Sequence, residues 1–178
     1  MIKLALHNYS FFYLVYHFLF STLFGILKYL PSPLFDFFRY FFLKIFFGKL
    51  KTTHIRDGIT IYHPKKIFIN ENVSLNEGIF MNGYGGIEIC KNTRIGHGCS
   101  FLSEDHIFKD KKKPIYLQGK NPKKILIGKN CWIGAKVTFL KGVSIGDNCI
   151  IASGAVVTKS FPKNKIIAGV PAKILKKR

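Results

Sequence analysis

The feature that most constrains this 178-residue chain is a six-residue repeat in its second half. A large apolar residue returns at every sixth position, and the fifth position of each hexad is Cys, Val or Ala. An amphipathic helix would place apolar residues every 3.6 residues on average. A sheet built of β-hairpins would need turn-forming residues between longer strands. The spacing therefore predicts short flat strands, three to a coil, stacked in parallel. The apolar positions are Ile127, Ile133, Phe139, Ile145, Ile151 and Val157.

The repeat also extends upstream, with one change of phase. Ile89, Ile95 and Phe101 are again six residues apart and open hexads of the same pattern. Four earlier residues are six apart but two out of step with Ile89, and the glycine-rich stretch 83–86 is a natural place for a two-residue insertion. Asn and Gly at the middle positions of the hexads suit corners, where positive φ is frequent. The four earlier residues are Ile69, Leu75, Met81 and Ile87.

One large interruption of the repeat falls between Phe101 and Ile127. About twenty residues more than one hexad separate these two positions, which predicts a loop extruded from the coil at about residues 103–124. Binding and catalytic groups concentrate on loops that project from a rigid scaffold. The loop begins Ser103-Glu104-Asp105-His106, so we expect the chemistry of the protein to lie here.

The first fifty residues form a segment of different character, rich in Phe, Tyr, Leu and Ile. The pattern predicts two helices, at 10–30 and 34–47, separated by a proline-marked break. The first is about long enough to span a bilayer. The second has Asp36, Arg39, Tyr40 and Lys44 along one side, which predicts a helix in the membrane interface with its cations towards the head groups. The alternative is that both helices pack on the body of the protein or on sister subunits.

The net charge of +19 calls for an anionic partner, such as nucleic acid, a phosphorylated cofactor or an acidic membrane. Nucleic acid is disfavoured because the lysines are scattered without interleaved aromatic residues. The four cysteines form no CxxC pair and no Cys/His cluster, so we expect neither a metal site nor a redox motif. Nothing here calls for an oxidising compartment, and a cytoplasmic setting is the simpler expectation.

The carboxyl-terminal repeats carry a family resemblance. Trp132-Ile-Gly-Ala-Lys-Val, Gly142-Val-Ser-Ile-Gly-Asp-Asn-Cys, Ala155-Val-Val-Thr-Lys and Ala168-Gly-Val-Pro-Ala-Lys resemble the signature of hexapeptide-repeat O-acetyltransferases, such as the galactoside, maltose and bacterial polysaccharide acetyltransferases. The resemblance is ungapped over 125–176 and weaker over 67–106. It implies a mainly β fold, a left-handed parallel β-helix over 51–178 that follows the apolar helical segment 1–50. The handedness comes from the resemblance alone, because parallel crossovers are normally right-handed.

The same resemblance implies acetyl-CoA as the donor, no metal, and a homotrimer with donor sites between neighbouring subunits. His106 matches the position of the catalytic histidine, and imidazole suits a general base at neutral pH. His97 is the rival candidate. The family's usual second histidine is absent after His106, which leaves Glu104 and Asp105 as groups that could orient the imidazole.

The other site residues also follow from the resemblance, position by position. Asn82 corresponds to a substrate-contacting asparagine, and Asp105 is a second candidate for contact with the substrate. Trp132 is expected to pack beneath the donor channel. For acetyl-CoA, backbone groups at Ala135 and Ser153 would meet the pantetheine arm. Thr158 and Lys159 would lie further along this arm. Lys173 and Lys176 would meet the phosphates of the nucleotide end.

Together these features predict an acetyl-CoA-dependent O-acetyltransferase that acts on a sugar hydroxyl of a cell-envelope polysaccharide or lipid-linked glycan. Membrane contact through residues 10–47 would make it a peripheral protein on the inner face of the cytoplasmic membrane. Two alternatives stay open at this stage. One is N-acetylation of an aminosugar or a drug, and the other is a non-catalytic β-helix scaffold.

Overall fold

A computed structural model describes residues 11–30, 33–51 and 53–178, without the side chains of Tyr13, His17 and Thr53. Most of the chain winds into a parallel β-helix with three flat sheets. The first sheet contains β1 (Lys49–Leu50), β4 (Ile67–Ile69), β7 (Ile87–Ile89), β12 (Ile125–Ile127) and β15 (Ser144–Ile145). The second contains β2 (Thr53–Ile55), β5 (Val73–Leu75), β8 (Arg94–Ile95), β13 (Trp132–Ile133), β16 (Ile150–Ile151), β18 (Lys165–Ala168) and β19 (Lys173–Lys177). The third contains β3 (Thr60–Tyr62), β6 (Phe80–Asn82), β9 (Ser100–Leu102), β14 (Thr138–Leu140) and β17 (Val156–Val157).

The register between coils confirms the repeat and its change of phase. Ile127 pairs with Ile145, 18 residues on, in the first sheet. Ile69 pairs with Ile89, 20 residues on, because residues 83–86 add the two extra residues. Ile89 pairs with Ile127 although 38 residues separate them, so about twenty residues leave the coil between these strands. The sequence therefore predicted the coil, its insertion and its interruption.

The corners confirm the expected use of Asn and Gly. Asn130 and Asn148 have φ of 53° and 59°, in the left-handed region that a short polar side chain tolerates. Their side chains also stack, because the amide of Asn130 donates to that of Asn148 at 2.8 Å and Asn148 donates to Asn164 at 3.1 Å. These stacked asparagine side chains satisfy one another's amide groups at the corner, where the backbone turns from one sheet to the next.

The core of the β-helix is a column of inward aliphatic and aromatic side chains. Successive side chains of a strand point alternately inward and outward. The short strands of the coil therefore bury one or two side chains each in the column. Phe101 and Phe139 stack with ring centroids 4.9 Å apart and fill the third sheet's side of the column. Cys99, Cys131 and Cys149 are buried at the small position of their hexads, as expected of packing residues.

The extruded loop is an ordered ribbon. Strand β10 (Glu104–His106) pairs antiparallel with β11 (Lys120–Pro122), and a 3-10 turn at Ile115–Leu117 lies between them. Because β10 follows β9 almost directly, the ribbon leaves the coil at the end of the third sheet.

The two amino-terminal helices, α1 (Phe11–Leu27) and α2 (Pro33–Phe46), form a hairpin against the first coil. Phe20, Phe24 and Leu43 join the same buried core as the β-helix. Among the residues that the structure describes, no helix has the length and hydropathy to cross a bilayer. The predicted first helix began at residue 10, and Ser10, Pro31 and Ser32 lie outside the described residues.

The expectation that Arg39 faces lipid head groups is wrong. Its side chain is fully buried, and its Nε donates to the Ile55 carbonyl at 3.0 Å. Its Nη1 donates to the carbonyls of Leu27 and Leu30 at 3.1 and 2.7 Å, and its Nη2 pairs with Asp36. A guanidinium has five donors in a fixed fork, so one side chain can join the end of α1, the helix α2 and the first coil.

Candidate active site

His106 ends strand β10 and is exposed on the ribbon. Successive side chains of a strand point to opposite faces, so Glu104 and His106 share one face of the ribbon and Asp105 lies on the other. Lys120 is directly opposite His106 in the register, and Asn121 is opposite Asp105. A cavity of about 390 Å³ opens here, lined by Asp105, His106, Ile107, Phe108, Lys109, Asn121 and Lys141.

Glu104 anchors the ribbon to the coil below it. Its Oε1 accepts hydrogen bonds from Asn82 Nδ2 at 2.9 Å and from Lys120 Nζ at 2.8 Å. Burial alone would raise the pKa of this carboxyl, but the hydrogen bonds from Lys120 and Asn82 and the positive charge of Lys120 together hold it below its usual value. The side chain is 11% exposed. Its Oε2 is buried and has no hydrogen-bond partner among the described residues.

Asp105 is held on the opposite face of the ribbon. Its Oδ1 lies 3.2 Å from Nζ of Lys141, whose side chain is mostly buried. Lys141 follows β14, the strand above β9 in the third sheet. A hydrogen bond from Asn82 on one face and an ion pair with Lys141 on the other therefore anchor the ribbon to the coil, and the anchored strand carries His106.

The side chain of His106 itself makes no hydrogen bond within the part of the chain that the structure describes. Of the two acids that could orient it, Asp105 projects from the other face and is engaged by Lys141. Glu104 lies on the same face, two residues away, which corresponds to about 7 Å between Cβ atoms. Glu104 is in turn engaged by Asn82 and Lys120, so neither acid makes a hydrogen bond to the imidazole within the described residues.

Asn82 ends strand β6 and is bonded to Glu104 of the ribbon, and its contact with the substrate stays a prediction. Its side-chain oxygen accepts the backbone N–H of Tyr84 at 3.1 Å while its amide donates to Glu104. The side chain thus has a fixed orientation, and both of its polar ends are used within the protein.

Ala135 and Ser153 lie one coil apart at the corner between the second and third sheets. Ser153 Oγ accepts the backbone N–H of Ala135 at 3.1 Å, and the Ala135 carbonyl accepts the N–H of Gly154 at 2.8 Å. The N–H of Ser153 has no partner among the described residues. Of the two predicted contacts to the pantetheine arm, the Ser153 N–H is therefore the donor still available, and the Ala135 N–H is already used.

The remaining predicted donor contacts lie towards the carboxyl end. Thr158 and Lys159 are exposed just after β17. Lys173 and Lys176 are exposed on β19, which runs antiparallel to β18. Trp132 is 60% exposed on the outer face of the second sheet, and its packing beneath the donor channel stays a prediction.

Within one chain, His106 does not lie beside the corner formed by Ala135 and Ser153. His106 leaves the coil at the end of the third sheet, whereas Ala135 and Ser153 lie at the corner where that sheet begins. A three-residue strand separates the two edges, which is about 10 Å.

The comparisons with known proteins agree with this geometry. Residues 124–159 match the family described as bacterial transferase hexapeptide (six repeats). A Mycobacterium tuberculosis protein named as an acetyltransferase is 36% identical over 126 residues, covering 70% of this chain and 42% of the relative. An Escherichia coli protein named as the lipopolysaccharide biosynthesis O-acetyl transferase WbbJ is 29% identical over 138 residues, covering 74% of this chain and 70% of that protein.

Among solved structures, a hexapeptide-repeat acetyltransferase of Vibrio cholerae, complexed with acetyl coenzyme A, superposes with a TM-score of 0.75. It is 26% identical, and the match covers 86% of this chain and 84% of the other. The chain carries the repeats of the hexapeptide-repeat transferase family. It spans less than half the length of its mycobacterial relative.

Several residues around the ribbon were not predicted from the sequence. The ring of Tyr84 is contacted by the ammonium groups of Lys66 and Lys120, 4.9 and 4.8 Å from its centroid. His63, one coil below, meets the same ring edge-on at 5.0 Å. The Gly83–Tyr84–Gly85–Gly86 insertion was the signal that could have indicated them, since it brings an aromatic residue to the corner where the ribbon starts.

Within the described residues, no three His, Cys, Asp or Glu side chains converge as metal ligands would. Burial raises the pKa of the Cys99 and Cys131 thiols to about 11. These thiols are therefore poor nucleophiles at neutral pH, since the thiolate is the reactive form.

Proposed function

We propose that the protein is an acetyl-CoA-dependent O-acetyltransferase that acts on a sugar hydroxyl of a cell-envelope polysaccharide or lipid-linked glycan. The observation that carries the proposal is the position of His106, fixed on an anchored ribbon at the mouth of a cavity in a hexapeptide-repeat chain. The lipopolysaccharide role in the name of the Escherichia coli relative supports a glycan acceptor. The acetyl coenzyme A complex of the Vibrio protein supports the donor.

In this proposal His106 is the general base. Its neutral imidazole takes the proton of the acceptor hydroxyl while the oxygen forms a bond to the acetyl carbonyl carbon. The carbon–sulfur bond then breaks, and the imidazolium returns the proton to the leaving thiolate, giving the acetyl ester and coenzyme A. Transfer is direct, so no acyl-enzyme is needed. In this proposal Glu104 positions the strand that carries His106, through its bonds with Asn82 and Lys120.

Asn82 and Asp105 are the proposed contacts of the acceptor. Both already belong to the network that holds the ribbon, so they would bind the sugar with their remaining hydrogen-bonding capacity. A carbonyl or carboxylate oxygen can accept more than one hydrogen bond. Substrate contact and ribbon position are therefore coupled at these two side chains.

The donor would follow the corner at Ala135 and Ser153 and pass Thr158 and Lys159. Lys173 and Lys176 would pair with its phosphates as point charges. Because the length of a three-residue strand, about 10 Å, separates this corner from the edge where the ribbon leaves the coil, we include a homotrimer in the proposal. A neighbouring copy would then bring its donor corner against the ribbon. We also place the protein in the cytoplasm, peripheral to the inner face of the cytoplasmic membrane through residues 10–47.

The test is the transfer of labelled acetyl groups from acetyl-CoA to a membrane glycolipid extract. We expect His106→Ala to lower label incorporation by at least about a hundredfold, the range of general-base contributions. His97→Ala is the comparison, because His97 is the rival histidine and is exposed in the same coil, at the corner before β9. Equal loss in both variants, or full activity of His106→Ala with unchanged folding, would remove His106 from the mechanism.

A further inference from the structure

The outer face of the helical hairpin is an extended apolar surface. On α2 four large side chains are about half exposed or more, with Ile45 the most exposed at 78%. On α1, Phe12, Phe18, Leu23 and Ile26 add to it. A contiguous patch of this kind is unusual on a monomeric soluble protein and marks an interaction surface. The four side chains on α2 are Phe37, Phe38, Phe41 and Ile45.

A groove crosses this surface where the end of α1 meets α2. Its volume is about 580 Å³, and its lining is apolar except for one exposed lysine at the rim. The spacing of the α2 residues is that of neighbouring turns on one helix face, so the groove runs along the helix. The lining residues are Leu27, Phe38, Phe41, Phe42, Ile45 and Lys44.

The charges around the groove have one sign. Asp36 is the only acidic residue in the first fifty, and Arg39 and Arg56 both engage it. Lys44 is exposed at the rim, and Lys28 lies over the ring of Tyr29 at 4.6 Å. An apolar face flanked by uncompensated cations and amphipathic aromatic residues complements a surface with anionic head groups and acyl chains.

We propose that this groove takes an acyl chain of an anionic membrane lipid, whose phosphate pairs with Lys44. The alternative occupant, a second copy of the chain, would bring like charges together in a protein of net charge +19. The inference rests on the proposed location at the membrane, but it does not depend on acetyl transfer.

The position of the hairpin gives this docking a consequence for the acceptor. Helix α1 lies against β3, because Phe20 and Phe24 share a pocket with Thr60, Ile61 and Tyr62. The ribbon leaves the same sheet two strands further on, after β9, which is about 10 Å along the coil axis. A protein docked through the hairpin would therefore have its ribbon on the sheet that α1 contacts, two strands from the hairpin, which suits a glycan attached to a membrane lipid.

The test is binding of the full chain to sedimented vesicles in the absence of acetyl-CoA. Vesicles of phosphatidylcholine alone are compared with vesicles that also contain phosphatidylglycerol. We expect Ile45→Glu to weaken binding to the anionic vesicles by roughly tenfold or more. The substitution removes an aliphatic side chain that the acyl chain would cover. Lys44→Glu reverses one charge and should weaken the same binding by about thirtyfold while changing little on phosphatidylcholine.

Two control variants test whether the effect is specific to the hairpin surface and whether it is independent of catalysis. Leu175→Glu changes an exposed apolar residue far from the hairpin in the chain and should bind vesicles as the wild type does. His106→Ala should also bind normally, so loss of catalysis and loss of docking are distinguishable. Wild-type binding by Ile45→Glu would overturn the proposal. A change of oligomeric state in Ile45→Glu without a change in vesicle binding would do the same and would assign the groove to a second copy.

Discussion

The buried guanidinium of Arg39 allows a prediction about what holds the hairpin to the β-helix. In Arg39→Met the apolar stem is kept, but three backbone carbonyls, those of Leu27, Leu30 and Ile55, lose their donor. Removing one partner of a buried charged network typically costs about 3 to 5 kcal/mol. Asp36 keeps a second cation, since Arg56 Nη1 lies 3.3 Å from its Oδ2. We therefore expect the lower end, about 3 kcal/mol.

The matched control is Arg56→Met, which makes the same chemical change beside the same carboxylate. Arg56 is 45% exposed, and exposed ion pairs contribute about 0 to 1 kcal/mol. Urea unfolding of both variants at equal protein concentration measures the free energy of unfolding, and hydrogen exchange of α2 reports detachment of the hairpin. Equal stability of the two variants would refute the argument, because it would mean that the buried bonds contribute no more than an exposed pair.

Two further predictions concern the ribbon and the thiols. Glu104→Gln should lower kcat by about tenfold to a hundredfold, because the carboxylate joins the strand that carries His106 to Asn82 and Lys120. Asp105 is 47% exposed in its ion pair with Lys141, so Asp105→Asn should lower kcat less, and an equal loss in both variants would contradict the assignment. Alkylation at pH 8 should modify Cys90 first and spare Cys99 in the folded protein, because a thiol with a pKa of about 11 is only about one part in a thousand thiolate. Mass spectrometry counts the labels, with urea-unfolded protein as the fully labelled reference, and early labelling of Cys99 would contradict its burial.

Much of the fold followed from local rules that a sequence displays directly. A six-residue period requires only that every coil present the same residues to the same side, so the pairing of Ile127 with Ile145 follows from their spacing alone. The insertion at 83–86 and the ribbon at 103–124 are interruptions of a regular count. Asn130 and Asn148 indicated corners because few residues tolerate positive φ.

The tertiary structure decided what depends on partners from distant parts of the chain. Helical periodicity placed Arg39 on the polar side of α2. Its side chain nevertheless points inward, because it donates to the carbonyl of Ile55 and to the end of α1. Likewise, the two acids of the ribbon are adjacent in sequence, and only Asn82 and Lys141, from different coils, distinguish Glu104 from Asp105. A repeat fixes which way a side chain points within its own strand, whereas its charge partner is set by how separate coils and helices pack.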